Sequence, residues 1–338
     1  MSAPAPSLFS PEAKSLAQRL GMTLGRPNLE VFADTLLELA RADARLLAVT
    51  SDSRGSGKLG PFGQALPRQI VELGIAEQNL VGVAAGLAST GRTVFAVSPA
   101  CFLTARSLEQ IKNDVAYSDN AVTLVGISAG VSYGALGSTH HSLHDFAALR
   151  AIHNLAIVAP ADNIETREAV LAAAALRRPV YLRFGKAPLY TLPCAAPFEL
   201  GRARLLRPGN DLAFLATGET VVHALLAAAH LEETSGLRCR VLSLPSVKPL
   251  DLQAVRSAAA ECRAVLTVEE HMVHGGLGEA VAAVLAQGDA HPRFRIIGIP
   301  DEDTVTGSQA DIFRHYGISM EGLSRAALDL LGRSAPPA

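Results

Sequence analysis

Short apolar runs alternate with longer amphipathic stretches along most of the chain. In the first half, runs typical of buried strands occupy residues 44–52, 92–98, 121–128, 155–160 and 179–185. Between them, the spacing of apolar positions predicts helices at 29–42, 76–89, 103–117 and 163–177. Asn28 and Asn163 are good N-caps for the first and last of these. Uninterrupted apolar strands separated by helices favour a parallel sheet covered on both faces. We therefore predict a doubly wound α/β domain over 26–186, preceded by an extension over 1–25.

The alternation stops after the first domain and then starts again. Residues 187–210 contain four prolines and no clear periodicity, which indicates a linker. Beyond it, further strands are predicted at 211–217, 239–244, 264–269 and 293–299. Helices are predicted at 219–233, 251–261, 276–287 and 320–332. The second half therefore predicts another, smaller α/β domain over 211–334.

Composition narrows the class of protein further. The 338 residues include 30 basic and 32 acidic side chains, a formal charge of −2, so there is no broad positive field for nucleic acid or an anionic membrane. A hydrophobic content of 49% excludes intrinsic disorder. The four cysteines are scattered, which is typical of reduced thiols in a cytoplasmic protein. The most apolar segment, 80–103, is interrupted by Arg92 and is too broken to predict a membrane span.

One carboxylate stands out in the stretch VELGIAEQNLVGVAAGLAST (71–90), because it begins a helix that is otherwise small and apolar. Glu77 in the first turn could simply favour the positive end of the helix dipole, an effect of about 0.3–1 kcal/mol. Such a glutamate belongs on a solvated face, however, and this helix has the composition of a buried one. A buried carboxyl group favours its protonated form and can share that proton with a ligand. Both interpretations stay open on these residues alone.

The order of several motifs resembles that of the transketolase family. GIAEQN and its Gly/Ala-rich helix are similar to the pyrimidine-binding domain of transketolases and deoxyxylulose-phosphate synthases. Matching motifs follow in the family's order: RSLEQIKNDVAYSD (106–119), GSTHHSLHD (137–145), APADNIETREAV (159–170) and PVYLRFGK (179–186). The second domain adds motifs similar to the transketolase C-terminal domain: LATGET (215–220), KPLD (248–251) and VEEHMVHGGLGEAV (268–281). The resemblance covers about 45–335. It implies a thiamine diphosphate pyrimidine-binding domain followed by a transketolase C-terminal domain.

The resemblance implies a cofactor-binding role for three residues. Glu77 is implied to be the catalytic glutamate, whose protonated carboxyl group bonds N1′ of the aminopyrimidine and promotes the ylid that attacks a ketose. Phe102 matches a ring that stacks on the aminopyrimidine, although a core phenylalanine is an equal alternative. Asp52 matches the aspartate after the family's first strand, where ligands gather in such sheets.

Three further residues are implied to bind the substrate. His140 in GSTHHSLHD matches a histidine that contacts a donor hydroxyl and supports catalysis; a structural histidine is the alternative. Arg183 matches a position that can hold a sugar phosphate, and a surface ion pair is its alternative. Ser56 lies in the TSDSRGSGKLG segment, which could also be a plain flexible turn. His140 and His144 have helical spacing, but their loop setting and the missing acidic ligand argue against zinc. No metal site is predicted on this chain.

Two departures from the family concern the substrate. Ordinary transketolases carry acidic residues before the histidine loop, where this chain has Leu136, and a histidine where it has Ser128. These family residues contact hydroxyl or phosphate groups of pentose substrates. The resemblance therefore implies an unusual sugar.

A missing motif points to a second polypeptide. The superfamily binds the Mg²⁺ of thiamine diphosphate through a GDG…N segment, and no GDG occurs in this chain. A separate diphosphate-binding subunit is implied to hold most of the Mg²⁺, with the active site between the two chains. Since pyrimidine-binding domains pair about a two-fold axis, we expect a heterotetramer.

These observations favour one function and leave two alternatives. The first is a subunit of a split transketolase, active only with its partner, that transfers a two-carbon ketol unit between a ketose phosphate and an aldose phosphate. The enzymatic alternative is the β subunit of a 2-oxoacid dehydrogenase E1, or a deoxyxylulose-phosphate synthase-like enzyme. The other alternative is a non-catalytic scaffold or regulatory subunit. EEHMVHGGLG in the second domain is assigned to interface and structure.

Overall fold

The computed structural model describes residues 7–194 and 196–333. The helices are α1 (Pro11–Arg19), α2 (Asn28–Ala42), α3 (Gly60–Ala65), α4 (Glu77–Ser89), α5 (Ala100–Arg106), α6 (Leu108–Gln110), α7 (Asp145–Arg150), α8 (Asn163–Ala175), α9 (Thr220–Ser235), α10 (Leu252–Glu261), α11 (Leu277–Ala286), α12 (Gln309–His315) and α13 (Met320–Leu331). The strands are β1 (Leu24–Pro27), β2 (Leu46–Thr50), β3 (Ile70–Glu72), β4 (Thr93–Pro99), β5 (Val122–Ile127), β6 (Ala156–Val158), β7 (Val180–Arg183), β8 (Pro188–Tyr190), β9 (Arg204–Arg207), β10 (Leu212–Ala216), β11 (Cys239–Ser243), β12 (Ser246–Lys248), β13 (Ala264–Met272) and β14 (Arg293–Ile299).

The first domain is built on a seven-stranded sheet of order β12-β6-β7-β5-β4-β2-β3. Its strands are parallel except for β12, which the second half of the chain adds as an antiparallel edge. One apolar cluster packs α2, α3 and α8 on one face, and another packs α4, α5 and α7 on the other. Every residue of β2 is buried, which explains its uninterrupted apolar sequence. The predicted doubly wound α/β fold is confirmed.

The order of the strands creates a crevice at the carboxyl ends of β2 and β4. The chain passes from β2 outward to β3 and then returns to β4 on the other side of β2. The connecting helices lie on opposite faces, so the loops after β2 and β4 diverge, and ligands of open α/β sheets bind at such a point. The side chains of Ser51 and Ser98 bridge the two strand ends at 2.7 Å. The segments that carry Asp52 and Phe102 follow these ends directly.

The second domain contains a five-stranded sheet of order β14-β13-β10-β11-β9, in which only β9 is antiparallel. Its predicted strands correspond to β10, β11, β13 and β14, and its predicted helices to α9, α10, α11 and α13. The stretch predicted as a linker, 187–210, carries two strands. One of them, β9, joins this sheet, while β8 pairs with β1.

Some local predictions were wrong. Asn28 and Asn163 are the first residues of α2 and α8 rather than their caps. Asp162 caps α8 by accepting a hydrogen bond from the backbone N–H of Glu165 at 2.8 Å. Asn163 instead bonds the backbone of Arg26 and so fixes the short strand β1. The helix predicted at 103–117 is divided into α5, α6 and a π-helix over Ile111–Tyr117.

The segment before the first domain packs on the second domain. Ser10 caps α1, which contacts α9, and the ring of Phe9 stacks on His223 with 4.9 Å between centroids. Leu8, Phe9 and Leu16 are therefore part of the C-terminal core. Among all described helices, none combines the length and the apolar character that crossing a bilayer requires.

Candidate active site

Glu77 begins α4 and is buried, with only 4% of its side chain exposed. Both carboxylate oxygens accept hydrogen bonds from Nη1 of Arg106, at 3.0 and 2.9 Å. Arg106 is the last residue of α5, which follows β4, so the crevice at the switch point brings these two groups together. A glutamate that served only the helix dipole would lie on a solvated face. The burial of Glu77 therefore favours the interpretation in which its carboxyl group meets a ligand.

A continuous row of side chains leads away from Glu77. The guanidinium carbon of Arg106 lies 4.3 Å from the centre of the Phe102 ring. Phe102 meets His140 edge-on at 5.3 Å between centroids, and His140 meets Tyr133 in the same way at 5.3 Å. The Nζ of Lys186 lies 3.7 Å from the centre of the Tyr133 ring. We call the following residues the site row: Glu77, Arg106, Phe102, His140, Tyr133 and Lys186.

The far end of the site row opens into a basic cleft. This cleft has a volume of about 260 Å³ and is lined by Ser56, Lys58 and Lys186, among others. Burial, together with the charge of Lys58, lowers the pKa of Lys186. Lys58 also pairs with Glu30 at 3.3 Å. Two ammonium groups facing one small cleft repel each other, so the cleft favours an anion.

Arg183 is buried beside Asp145. Only 6% of it is exposed, and its Nε donates to Asp145 Oδ2 at 2.8 Å. Its Nη2 donates to the carbonyl oxygens of Glu270 and Ser142, at 2.7 and 3.2 Å. Burial opposes its charge, but the carboxylates of Asp145 and Glu270 outweigh burial and raise its pKa. Arg183 therefore forms a buried ion pair rather than a surface one, and its predicted role at a sugar phosphate stays a prediction.

Asp52 lies outside the site row. It is exposed on the turn after β2, with a φ of 51°, and its N–H donates to Glu72 Oε1 at 2.6 Å. None of the described hydrogen bonds or ion pairs joins it to Glu77 or Phe102. Its predicted role at the cofactor stays a prediction.

His140 and His144 of the GSTHHSLHD motif contact different hydroxyl groups. Nδ1 of His140 lies 2.9 Å from the hydroxyl of Thr139, whereas Nε2 of His144 lies 3.1 Å from the hydroxyl of Thr104. Within the described ranges, no three His, Cys, Asp or Glu side chains are grouped so that they could hold a metal ion.

Comparison with known proteins identifies the family. The model of the transketolase pyrimidine binding domain matches residues 27–191, and that of the transketolase C-terminal domain matches residues 201–323. Over 302 residues the chain is 50% identical to one subunit of the apulose-4-phosphate transketolase of Phocaeicola vulgatus, covering 89% of this chain and 96% of that one. The chain belongs to the transketolase family. Membership implies dependence on thiamine diphosphate.

Two more matches concern transketolase chains of similar length. One is 6-deoxy-6-sulfo-D-fructose transketolase subunit SqwH of a Clostridium species, 34% identical over 305 residues, which cover 90% of this chain and 94% of that one. The other is a solved structure described as a split gene transketolase, inactive beta4 tetramer. It has a TM-score of 0.81 and 33% identity, covering 92% of this chain and 100% of that one. The predicted family and two-domain fold are confirmed, and the match spans nearly the full length of both proteins.

Three members of the transketolase site row were missed from the sequence: Arg106, Tyr133 and Lys186. Arg106 opens the RSLEQ motif and Lys186 closes PVYLRFGK, so both lie inside matching segments. Neither segment shows alone that its cation reaches the crevice. Tyr133 lies four residues before the GSTHHSLHD motif, and its ring is placed by contact with His140 and Lys186. A search for cations that follow the carboxyl ends of strands would have found Lys186.

Proposed function

We propose that this chain is the pyrimidine-binding subunit of a split transketolase that transfers a two-carbon ketol unit between phosphorylated sugars, with apulose 4-phosphate as a substrate. The site row carries this proposal, because it joins a buried carboxyl group, an aromatic face and a histidine to a basic cleft. The 50% identity to a transketolase subunit named for apulose 4-phosphate supports the choice of sugar. The family departures at Ser128 and Leu136 also favour an unusual sugar.

The residues at the start of the site row fit the cofactor's ring. The flat guanidinium group of Arg106 lies over Phe102 and bonds Glu77, which supports room for a planar group in contact with both side chains. Phe102 and Glu77 are therefore the residues that would hold the aminopyrimidine, and Arg106 must move aside for it. When bound, thiamine diphosphate supplies the electron sink for cleaving the carbon–carbon bond beside the ketose carbonyl.

The other members of the row act on the sugar. Nδ1 of His140 bonds Thr139, so we assign the contact with a substrate hydroxyl to Nε2. Lys186, Lys58 and Ser56 bind the phosphate in the basic cleft, where two lysines act as point charges on its oxygens. Phosphate binding at this end would hold the sugar chain along the row, with its carbonyl toward Glu77.

A partner subunit completes this proposal. No GDG sequence is present in the chain, so we place the diphosphate and its Mg²⁺ on a second polypeptide. The solved neighbour described as an inactive tetramer of β chains supports an enzyme that works only with both subunits. We propose a heterotetramer in the cytoplasm, with two chains of each kind.

Reconstitution tests the function. The chain is mixed with a polypeptide that carries the GDG…N segment, with thiamine diphosphate and Mg²⁺, and sugar products are separated by chromatography. We expect ketol transfer from apulose 4-phosphate to an added aldose phosphate, and none with either polypeptide alone. 6-Deoxy-6-sulfofructose serves as a second donor. Decarboxylation of a 2-oxoacid without turnover of any sugar contradicts the proposal and supports the E1 alternative.

Replacing Lys186 with methionine tests the basic cleft. The variant keeps the length of the side chain but removes its charge, so we expect KM for the phosphorylated sugar to rise about tenfold or more, with a smaller change in kcat. Lys14→Met is the matched control, because Lys14 is exposed on α1 and lies on the other domain. An unchanged KM in Lys186→Met contradicts phosphate binding at this cleft.

A further inference from the structure

A cluster of buried polar side chains lies where the two domains meet, beneath the loop that carries His140. The first domain contributes Asp145, Tyr181 and Arg183. The second contributes Glu219, Glu270 and the half-buried Gln309. We call these six residues the junction cluster. None of them belongs to the site row, and the mechanism above does not use them.

Two carboxyl groups of the junction cluster meet at a single amide. Nε2 of Gln309 donates to Glu219 Oε2 at 3.2 Å and to Glu270 Oε1 at 2.9 Å. The backbone makes room for both, because a Cβ at Gly185 would overlap the carboxylate of Glu219 and one at Gly130 would overlap that of Glu270. The proximity of these two acids is therefore built into the fold rather than left to flexible side chains.

The charges around this pair do not balance. Arg183 is the cation that faces both acids among the described residues, and it already pairs with Asp145. His271, which lies 3.7 Å from Asp145, stays neutral near pH 7 because burial lowers its pKa to about 4. One cation therefore faces three carboxyl groups. Burial and, for Glu219, the neighbouring charge of Glu270 raise the pKa of both acids, so the pair retains a proton.

The junction cluster holds both ends of the loop over 131–142, which carries His140. Glu270 Oε1 accepts the N–H of Val131 at 2.9 Å, and Arg183 donates to the carbonyl oxygen of Ser142 at 3.2 Å. Ser142 also donates its N–H to the carbonyl oxygen of Gly130 at 2.8 Å, which closes the loop. Between these ends lie Tyr133 and His140 of the site row. The second domain therefore supports the loop that faces the substrate.

We propose that Glu270 is a positioning residue for the loop over 131–142, and that the ionisation of Glu219 beside it makes the position of this loop depend on pH. The role of this loop at the substrate rests on the proposed function, whereas the hydrogen bonds by which Glu270 holds the loop do not depend on it. When both acids are ionised, two buried negative charges face one amide. Their repulsion is relieved if Glu270 moves away from Glu219, and this movement weakens its bond to Val131.

Hydrogen exchange on the full chain tests the support of the loop. We expect the protection factor of the Val131 amide, and of the peptide that contains it, to fall about tenfold between about pH 6 and about pH 9. In Glu219→Gln the second charge cannot form, so the fall should disappear. Glu269→Gln is the matched control, because Glu269 is the buried neighbour on β13 but accepts from Leu277 and Gly278 instead. In this control the protection factor of the Val131 amide should fall with pH as it does in the wild type.

The reconstituted enzyme provides a second, independent readout. Glu219→Gln should move the alkaline limb of the kcat/KM profile upward by about one pH unit, and Glu269→Gln should leave that limb in place. A protection factor that does not change with pH in the wild type, or that responds equally to both variants, overturns the inference. If the complex transfers no ketol unit while the exchange result holds, the proposed function fails and the support of the loop stands. Glu270→Gln adds a direct test but is not required.

Discussion

Replacing Glu77 with glutamine should lower the kcat of the reconstituted enzyme by about 10²–10⁴-fold, the range expected when one group that transfers a proton is removed. Glutamine keeps the shape of the side chain and can still bond Arg106 through its carbonyl oxygen. It cannot hold an acidic proton for the aminopyrimidine. The loss should therefore appear in turnover, while the fold of the subunit stays intact. Initial rates of ketol transfer measure the effect, and circular dichroism checks the fold.

The control for this variant separates proton transfer from the helix dipole. Glu279 lies in the first turn of α11, as Glu77 does in α4, but its side chain is 48% exposed. Glu279→Gln removes the same favourable interaction with a helix N-terminus and should leave kcat unchanged. Binding of thiamine diphosphate to the complex, followed by calorimetry, gives a readout apart from turnover. Full activity in Glu77→Gln would instead support the scaffold alternative.

Local patterns predicted the parts of the molecule that depend on neighbours in sequence. The position of Glu77 at a buried helix start follows from the apolar composition of 76–89, and the adjacent crevice follows from the alternation of strands and helices. The edge strand β12 was missed, because its three residues are fixed by pairing with β6, almost ninety positions earlier in the chain. A segment of three residues is too short to show the periodicity of apolar positions from which a strand is predicted.

The junction cluster shows why the rest of the site escaped prediction. Asp145 and Glu270 face Arg183 from opposite domains, and no spacing in the sequence relates them. The EEH segment was assigned to interface and structure, but its link to the loop over 131–142 depends on how the two domains dock. Arg183 and Lys186 are three residues apart on one motif, yet one lies buried and the other is exposed. The sequence shows two cations near a strand end without showing which of them turns inward.

Replacing Arg183 with methionine decides between a structural and a substrate-binding role for this residue. The variant fills a similar volume but leaves Asp145 buried without its cation. Breaking a buried ion pair from one side costs about 3–5 kcal/mol, so we expect the free energy of unfolding to fall by about that amount. Urea denaturation followed by circular dichroism measures the change. Lys186→Met should lower the same free energy much less, because it leaves no buried carboxylate without its cation.

A second substitution makes the test of Arg183 specific. Asp145→Asn in the Arg183→Met background removes the stranded charge while keeping an oxygen that accepts the hydroxyl of Tyr181. The double variant should therefore recover part of the lost stability, as expected when an uncompensated charge rather than a lost contact is the main defect. A phosphate-binding arginine predicts the opposite pattern. In that case Arg183→Met would keep its stability and raise only KM, and Asp145→Asn would bring no recovery.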